Sequence, residues 1–236
     1  AKAKPTTNDP RLEPIHAWFA QRNWTPLPFQ QQTWSAYLAG RNGLIQVPTG
    51  SGKTFAAVMG PIARMLAEEQ PLKGIRLLYI TPLRALSRDL SLAIREPIEA
   101  MGWPIRVGIR NGDSSSSERT KQLKAPPQIL VTTPESLALL LSNAKAEELF
   151  GQLETVILDE WHELMGSKRG SQTELCLSWL RQLRPQLQTW AISATIGNLE
   201  QAAHHALGTA SEPQLIGGAP ARSTCLLYTS DAADDI

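Results

Sequence analysis

Short apolar runs rich in β-branched residues recur along the chain and alternate with segments of helical periodicity. Strands that alternate with helices in this way form a mainly parallel sheet that helices cover on both faces. The predicted strands lie at residues 43–47, 75–80, 105–109, 129–132, 155–158, 189–192 and 214–216. The helices predicted beside them lie at residues 55–67, 83–101, 118–123, 135–141, 173–183 and 199–207. In such an α/β fold, ligands bind at the carboxyl ends of the strands.

The run GSGKT at residues 50–54 follows the first predicted strand and fits the end of a P-loop, in which Thr or Ser follows the Lys. Backbone N–H groups of such a loop form an anion-binding nest, and the next helix points its positive N-terminal end at the same anion. An ordinary Gly-Ser turn between a strand and a helix is the alternative. In a P-loop, Lys53 would reach the β- and γ-phosphates of a nucleotide, and Thr54 would bind Mg²⁺ through its hydroxyl. The residues predicted to hold the nucleotide here are Thr49, Gly50, Ser51, Gly52, Lys53 and Thr54.

Two carboxylates, Asp159 and Glu160, follow the apolar strand predicted at residues 155–158. Burying such a pair is costly unless the carboxylates are paired or lie near a metal ion. Beside a P-loop, Asp159 would hold the hydration shell of Mg²⁺, and Glu160 would orient and deprotonate the attacking water. The alternative is a solvated pair. Asp159 could also cap a helix that begins at Glu160.

GSGKT followed by DEWH at residues 159–162 resembles the DExH-box ATPases of helicase superfamily 2. The longer string DEWHELMGSKRG resembles Lhr-type DNA helicases, and within them the bacterial ligase-associated group. The resemblance covers about residues 12–217 and implies a RecA-like P-loop NTPase lobe with ATP and Mg²⁺ as cofactors. It adds His162 to the candidate catalytic residues Lys53, Asp159 and Glu160.

The same resemblance divides the chain into two parts. It implies that residues 1–222 are the ATP-binding, first RecA-like domain, and that the arginine fingers belong to a second lobe of the parent protein. The last residues, 223–236, do not look like the family and are interpreted as a non-native or disordered tail.

The stretch WTPLPFQQ at residues 24–31 is similar to the Q motif of these helicases. The resemblance implies that Gln30 reads adenine by hydrogen bonds and that an upstream aromatic ring stacks on the base. Trp24 is the predicted ring, with Phe19 and Phe29 as alternatives. A Trp that simply packs in the core from an amphipathic helix is the competing interpretation.

Two further segments, ITPLRAL and VTTPESL, share the order strand, Thr, Pro, helix. In this order the Thr can cap the helix and the Pro suits its first position. Both helix starts would then offer N–H groups that bind phosphates without reading bases, although Thr-Pro can also simply begin a helix well. By resemblance these are motifs Ia and Ib, which grip the backbone of a single strand, and IRNGD lies between them. The predicted nucleic-acid residues are Thr81, Pro82, Arg84, Arg110, Gly112, Thr133, Pro134 and Glu135.

Ser193-Ala194-Thr195 follows the strand predicted at residues 189–192 and resembles motif III. The hydroxyls of Ser193 and Thr195 can bond to the DEWH loop, with His162 as the expected partner, and would couple the nucleotide state to strand grip. Lys168 and Arg169 resemble a basic turn of the family, or form a solvated surface patch.

Composition narrows the remaining functional classes. A net charge of +1 argues neither for nor against nucleic acid, so any such surface must be local. No apolar run approaches the length of a membrane span, about 18 residues, and Cys176 and Cys225 suggest neither a disulfide framework nor a metal site. We therefore expect a cytoplasmic protein without a membrane partner. By resemblance its partner is single-stranded or partly duplex DNA, with DNA-ligase-associated repair proteins as further partners. RNA as substrate, or a nucleotide-gated binding module without useful turnover, are the alternatives.

Overall fold

The computed structural model describes residues 9–48, 50, 52–193 and 214–217. Seven strands form one sheet in the order β3-β4-β2-β5-β6-β1-β7. Every neighbouring pair in this sheet is parallel. The strands are β1 (Gly43–Gln46), β2 (Leu77–Ile80), β3 (Val107–Arg110), β4 (Ile129–Thr132), β5 (Thr155–Leu158), β6 (Gln188–Ser193) and β7 (Gln214–Gly217).

Nine α-helices lie in the described ranges, after a short 3₁₀ turn at Pro10–Leu12. They are α1 (Glu13–Gln21), α2 (Pro28–Leu38), α3 (Lys53–Leu66), α4 (Arg84–Met101), α5 (Ser116–Lys124), α6 (Pro134–Leu141), α7 (Ala146–Phe150), α8 (Trp161–Leu164) and α9 (Lys168–Leu183). None of these described helices is long and apolar enough to cross a membrane.

The sheet separates two hydrophobic clusters, and successive strand residues contribute to opposite clusters. In β1, Leu44 packs in one cluster and Ile45 in the other, and in β2 Leu78 and Tyr79 divide in the same way. This burial on both faces explains why the strands are continuous apolar runs rather than alternating patterns. Trp190 of β6 joins the same cluster as Ile45 and Tyr79. Four of the seven tryptophans are fully buried, namely Trp18, Trp34, Trp161 and Trp190.

The predicted strands are all present, and their ends differ from the prediction by at most two residues. The helix predicted at 173–183 begins earlier, at Lys168, because Ser167 caps it by accepting a hydrogen bond from the Gly170 N–H. The sequence patterns do not predict α1, α2 or α7. The helix predicted at 199–207 and the tail at 223–236 lie outside the described residues.

Helix α2 fixes the segment upstream of the P-loop against α3. The indole N–H of Trp34 in α2 donates to the backbone oxygen of Phe55 in α3, with 2.9 Å between the nitrogen and the oxygen. Trp18 of α1 packs edge-on against the ring of Phe55. The N-terminal helices therefore hold the start of α3 in place, where the P-loop ends.

Candidate functional site

The loop after β1 and the loop after β5 meet at the carboxyl edge of the sheet. Lys53 is the first residue of α3, and its ammonium contacts the Glu160 carboxylate and lies 3.5 Å from Asp159 Oδ1. Gly50 and Gly52 have positive φ angles of 78° and 81°, as a P-loop requires. Thr54 follows Lys53 in α3, while Thr49 and Ser51 lie outside the described residues.

Position 52 has a second requirement for glycine. A Cβ atom there would lie 2.7 Å from the amide nitrogen of Gln30, which donates to the Gly52 backbone oxygen over 3.1 Å. The Gln30 side-chain oxygen accepts from the Leu27 N–H over 2.8 Å. Gln30 therefore ties the start of α2 to the backbone at Gly52.

The electrostatics of the site are dominated by burial and by the lysine–carboxylate contacts. Burial lowers the pKa of Lys53, but its hydrogen bond with Glu160 and the charges of Asp159 and Glu160 outweigh that effect and raise the pKa overall. Burial raises the pKa of Asp159, and the charge of Lys53 offsets this only in part. Asp159, which is 2% exposed, is thus a carboxylate whose charged form gains from a nearby cation.

A hydroxyl that the sequence patterns do not single out completes the surroundings of Asp159. Tyr79 in β2 donates from its hydroxyl to Asp159 Oδ2 over 3.0 Å, and the Glu160 N–H donates to Oδ1 over 2.9 Å. The only sequence signal for this contact is a tyrosine in a fully buried strand, because its O–H then needs an internal partner.

Glu160 adopts a backbone conformation that is unusual for a residue other than glycine. Its φ and ψ angles of 48° and 44° lie in the left-handed region. Backbone strain of this kind is characteristic of functional sites. The proposed cap of a helix at Glu160 by Asp159 is wrong, because α8 begins at Trp161 with Glu160 in the cap position and no side-chain capping bond. The Asp159 carboxylate accepts the Glu160 N–H instead.

His162 and Ser193 make the contact that the sequence predicts. Ser193 Oγ lies 3.0 Å from His162 Nδ1, and His162 Nε2 lies 3.6 Å from Glu160 Oε2. The end of β6 is therefore joined through His162 to the carboxylate that contacts Lys53. Thr195 lies outside the described residues.

Of the three aromatic residues considered for base stacking, Trp24 alone offers an exposed ring. Trp24 is 45% exposed, whereas Phe19 and Phe29 are buried at 3% and 7% exposure. Trp24 packs edge-on against Trp18 and Phe19, and the Arg22 guanidinium lies 5.4 Å from the centre of a Trp24 ring. An aromatic surface with a neighbouring cation therefore adjoins the segment that carries Gln30.

The two Thr-Pro segments differ at their helix starts. Thr133 caps α6 as predicted, since its hydroxyl accepts from the Ser136 N–H over 3.4 Å and Pro134 is the first helical residue. Thr81 does not cap α4, and Pro82 is not its first residue, because α4 begins at Arg84 with Leu83 in the cap position. The reason is that the Thr81 N–H continues the ladder between β2 and β4 by donating to the Thr132 oxygen.

The exposed charges near these segments are held by specific partners. Arg84 pairs with Asp113 over 3.0 Å, and a Cβ atom at Gly112 would lie 2.9 Å from the Arg84 guanidinium carbon. Arg110 donates instead to the backbone oxygen of Arg119 over 3.3 Å. Burial and the charge of Arg119 lower the pKa of Arg110. The structure thus brings Arg84 and Gly112 together and directs the Arg110 guanidinium toward α5.

Arg169 at the start of α9 joins the two Thr-Pro segments. Its guanidinium donates to the Pro82 backbone oxygen over 2.8 Å and forms a two-point contact with the Glu135 carboxylate. Burial raises the pKa of Glu135, but its bonds with Arg169 prevail and leave that pKa below its usual value. The predicted basic turn is thus the start of α9, and Arg169 there bridges the loop after β2 and the first turn of α6, which the sequence alone does not reveal.

A sequence model of the DEAD/DEAH box helicases matches residues 27–202, a range that holds the P-loop and DEWH. The chain belongs to the DEAD/DEAH box helicase family. This helicase chain is 38% identical over 219 residues to an Lhr helicase and probable uracil glycosylase of Mycolicibacterium smegmatis, over 88% of the chain and 14% of that protein. It is also 38% identical to the ATP-dependent helicase Lhr-Core protein 2 of Thermococcus barophilus, over 83% of the chain and 24% of that protein. The chain thus spans a quarter or less of the length of these curated relatives.

Solved structures agree with the sequence comparisons. The structure of Mycobacterium smegmatis helicase Lhr bound to ssDNA and AMP-PNP superposes with a TM-score of 0.79 at 35% identity, over 89% of this chain and 28% of that one. The predicted fold class is therefore confirmed: the chain is an α/β, RecA-like domain with a parallel sheet. The two relatives and this solved structure are Lhr helicases.

The residues at the lysine–carboxylate cluster fit a magnesium ion in a nucleotide complex. The Thr54 hydroxyl and the Asp159 carboxylate are oxygen donors, and Mg²⁺ commonly takes one or two carboxylates together with phosphate oxygens and water. Within the described ranges, no group of three or more His, Cys, Asp or Glu could hold a metal ion without such help. The donor set therefore suits a metal shared with a nucleotide rather than a protein-only metal centre.

Proposed function

We propose that this chain is the ATP- and Mg²⁺-binding domain of an ATP-dependent DNA helicase. The observation that carries the proposal is the convergence of Lys53, Asp159 and Glu160 from two strand ends on one point, beside a left-handed Gly50 and Gly52. A cation, a metal-binding carboxylate and a general base within one such site are the protein's parts for phosphoryl transfer to water.

Each residue has a separate task in this proposal. Lys53 neutralises the β- and γ-phosphates, while Thr54 and Asp159 hold the bound Mg²⁺, which supplies charge stabilisation and orients the phosphates. Glu160 orients the water and takes its proton. Backbone N–H groups of the loop that ends at Gly52 would cradle the phosphates, and Thr49 and Ser51 of that loop lie outside the described residues. Gln30 and Trp24 border the base.

We further propose that the loops after β2, β3 and β4 bind the backbone of single-stranded DNA. The first turn of α6 presents backbone N–H groups after Pro134, which itself has none, and Arg84 adds an exposed cation at 60% side-chain exposure. Phosphate contacts of this kind are independent of sequence and weaken with added salt. The surface proposed for the strand comprises Thr81, Pro82, Arg84, Arg110, Gly112, Thr133, Pro134 and Glu135.

DNA is favoured over RNA because a relative at 35% identity is described as bound to ssDNA. The bond between His162 and Ser193 would then couple the nucleotide to the grip on the strand, with Thr195 as a further predicted partner. By the family resemblance, we place the parent activity in DNA repair beside ligase-associated proteins.

Full turnover requires a second lobe in this proposal. Phosphoryl transfer also needs cations on the transition-state oxygens, and arginine fingers contribute on the order of 10³ to 10⁵ in rate where they have been tested. We assign the fingers to the second RecA-like lobe of the parent protein and residues 1–222 to the first. The small share of its relatives that this chain spans supports that assignment.

Steady-state ATPase with saturating single-stranded DNA tests this assignment on the chain as it stands and on a version extended with the second lobe. We expect turnover in the extended protein to exceed that of the chain by about 10³-fold or more. Equal turnover in the two proteins would show that the chain is a self-sufficient ATPase and would contradict the proposal.

A further inference from the structure

The Tyr79 hydroxyl contacts Asp159, one of the two residues proposed to hold Mg²⁺, although Tyr79 itself belongs to neither motif. Tyr79 is fully buried in β2, next to β5 in the sheet, with Tyr79 in register with Ile157. Its hydroxyl donates to Asp159 Oδ2 over 3.0 Å. One buried hydroxyl of β2 thus contacts an oxygen ligand in the loop after β5.

Proton counting fixes the direction of this bond. A phenol carries one proton, and an ionised carboxylate can only accept. The Tyr79 proton is therefore donated to Asp159. A tyrosine hydroxyl keeps its proton at neutral pH.

The bond from Tyr79 helps to set how the Asp159 carboxylate would face a metal ion. Asp159 has Oδ2 held by Tyr79 and Oδ1 held by the Glu160 N–H, so the carboxylate plane is fixed from both sides. Hydrogen-bond partners that orient ligands in this way commonly contribute 10- to 100-fold to metal affinity.

We propose that Tyr79 is a positioning residue that fixes Asp159 in the orientation that binds Mg²⁺ with nucleotide. The inference rests on the proposed Mg²⁺-nucleotide site and adds a third strand, β2, to it. Tyr79 touches neither the nucleotide nor the metal in this account, and acts only through Asp159.

The variant Tyr79→Phe tests the inference, because it removes the hydroxyl and keeps the ring in the core. Tyr37→Phe is the matched control, because Tyr37 is also a buried tyrosine with a bonded hydroxyl. Its hydroxyl lies 2.6 Å from Thr155 Oγ1, at the opposite end of β5 from Asp159. The readout is the fluorescence of a bound fluorescent ATP analogue, titrated with MgCl₂ and, in parallel, measured in EDTA.

We expect the Mg²⁺ concentration that gives half of the full signal to rise by about 10-fold or more in Tyr79→Phe. Affinity for the analogue in EDTA should stay at the wild-type value, and Tyr37→Phe should match the wild type in both media. An unchanged Mg²⁺ requirement in Tyr79→Phe, or an equal rise in both variants, would overturn the inference while leaving the proposed function standing. A wild-type protein that binds the analogue without any response to Mg²⁺ would overturn both.

A second measurement needs no change at Tyr79. The chain has three tyrosines, Tyr37, Tyr79 and Tyr228, so 3-fluorotyrosine labelling gives three ¹⁹F resonances. Labelled Tyr37→Phe and Tyr228→Phe proteins assign them. Addition of MgCl₂ to the nucleotide-bound protein should move the Tyr79 resonance and leave that of Tyr37 in place, and an unmoved Tyr79 resonance would overturn the inference.

Discussion

Lys53 and Glu160, which are 107 residues apart in the sequence, form a half-buried ion pair at the carboxyl edge of the sheet. Each side chain is 14% exposed. Glu160 and a nucleotide's phosphates would share the single positive charge of Lys53, so the ion pair and phosphate binding compete for it. Asp159 Oδ1 lies 3.5 Å from the Lys53 nitrogen, so Asp159 is the carboxylate that is left for a metal ion while Glu160 pairs with Lys53.

Glu160→Gln should bind Mg²⁺-ATP at least as tightly as the wild type. The change removes the charge that competes for Lys53 and keeps the shape of the side chain. Titration with a fluorescent ATP analogue measures the affinity. Glu163→Gln is the control, because Glu163 is an exposed carboxylate three residues further on, in α8, and lies 3.6 Å from His162 Nε2. Binding more than tenfold weaker in Glu160→Gln than in Glu163→Gln would show that Glu160 supports ground-state binding, against the role assigned to it.

Arg84→Ala should weaken binding to single-stranded DNA and reduce its dependence on salt. Loss of one phosphate contact lowers the slope of log affinity against log salt by about 0.7 for a single strand. Fluorescence anisotropy at several salt concentrations gives the slope. Asp113→Ala is the matched control, since it removes the partner of Arg84 but leaves the cation. If both variants bind DNA equally, or if the slope of Arg84→Ala equals that of the wild type, Arg84 is not a phosphate contact.

Arg169→Ala should weaken binding of single-stranded DNA while binding of the ATP analogue stays at the wild-type level. The Arg169 side chain joins the Pro82 backbone oxygen to Glu135. Loss of a buried hydrogen bond to a charged group costs about 1.5 kcal/mol or more. The cost is smaller here because the site is partly exposed to solvent. We expect a loss of roughly fivefold in DNA affinity. Lys168→Ala, a change at the exposed neighbouring cation, controls for charge alone. Equal losses in the two variants would assign the effect to charge rather than to the bridge.

Thr133→Ala should lower the free energy of unfolding by about 1 kcal/mol, because it removes the N-cap of α6. Thr133→Ser keeps the capping hydroxyl and should lose less than half of that amount. Urea unfolding followed by circular dichroism gives both values. The same loss in the two variants would mean that the methyl group of Thr133, which is 4% exposed, matters more than its hydroxyl.

The strands could be predicted because each is buried on both faces and is therefore an uninterrupted apolar run. Ile129, Leu130 and Val131 of β4 pack alternately into the two hydrophobic clusters, so the strand contains no polar interruption before Thr132. Helix α2 is harder to predict, because its buried face includes Gln30 and Thr33. The Gln30 side chain is buried because it bonds to Leu27 and Gly52, and a polar residue on the buried face obscures the apolar periodicity of the helix.

The residues of the site could be found where they belong to a continuous motif, as Lys53 and Asp159 do. Tyr79 could not, because its contact with Asp159 depends on the pairing of β2 with β5, which no local pattern specifies. The bridge from Arg169 to Pro82 likewise joins residues 87 positions apart. The helix cap predicted for Thr81 is wrong for a related reason. The Thr81 N–H continues the hydrogen bonding of β2 with β4, and the local Thr-Pro sequence does not show whether a strand continues through the Thr or stops before it.

The central claim, that the Lys53 cluster binds Mg²⁺-ATP, is tested most directly by calorimetric titration of ATP in MgCl₂ into the wild type and Lys53→Ala. Hydrogen bonds between charged groups contribute about 1.5 to 3 kcal/mol, so we predict saturable binding at one site in the wild type and affinity at least about tenfold lower in Lys53→Ala. Lys73→Ala, a change at an exposed lysine, should match the wild type. Absence of saturable binding in the wild type, or equal affinity in wild type and Lys53→Ala, would contradict the account.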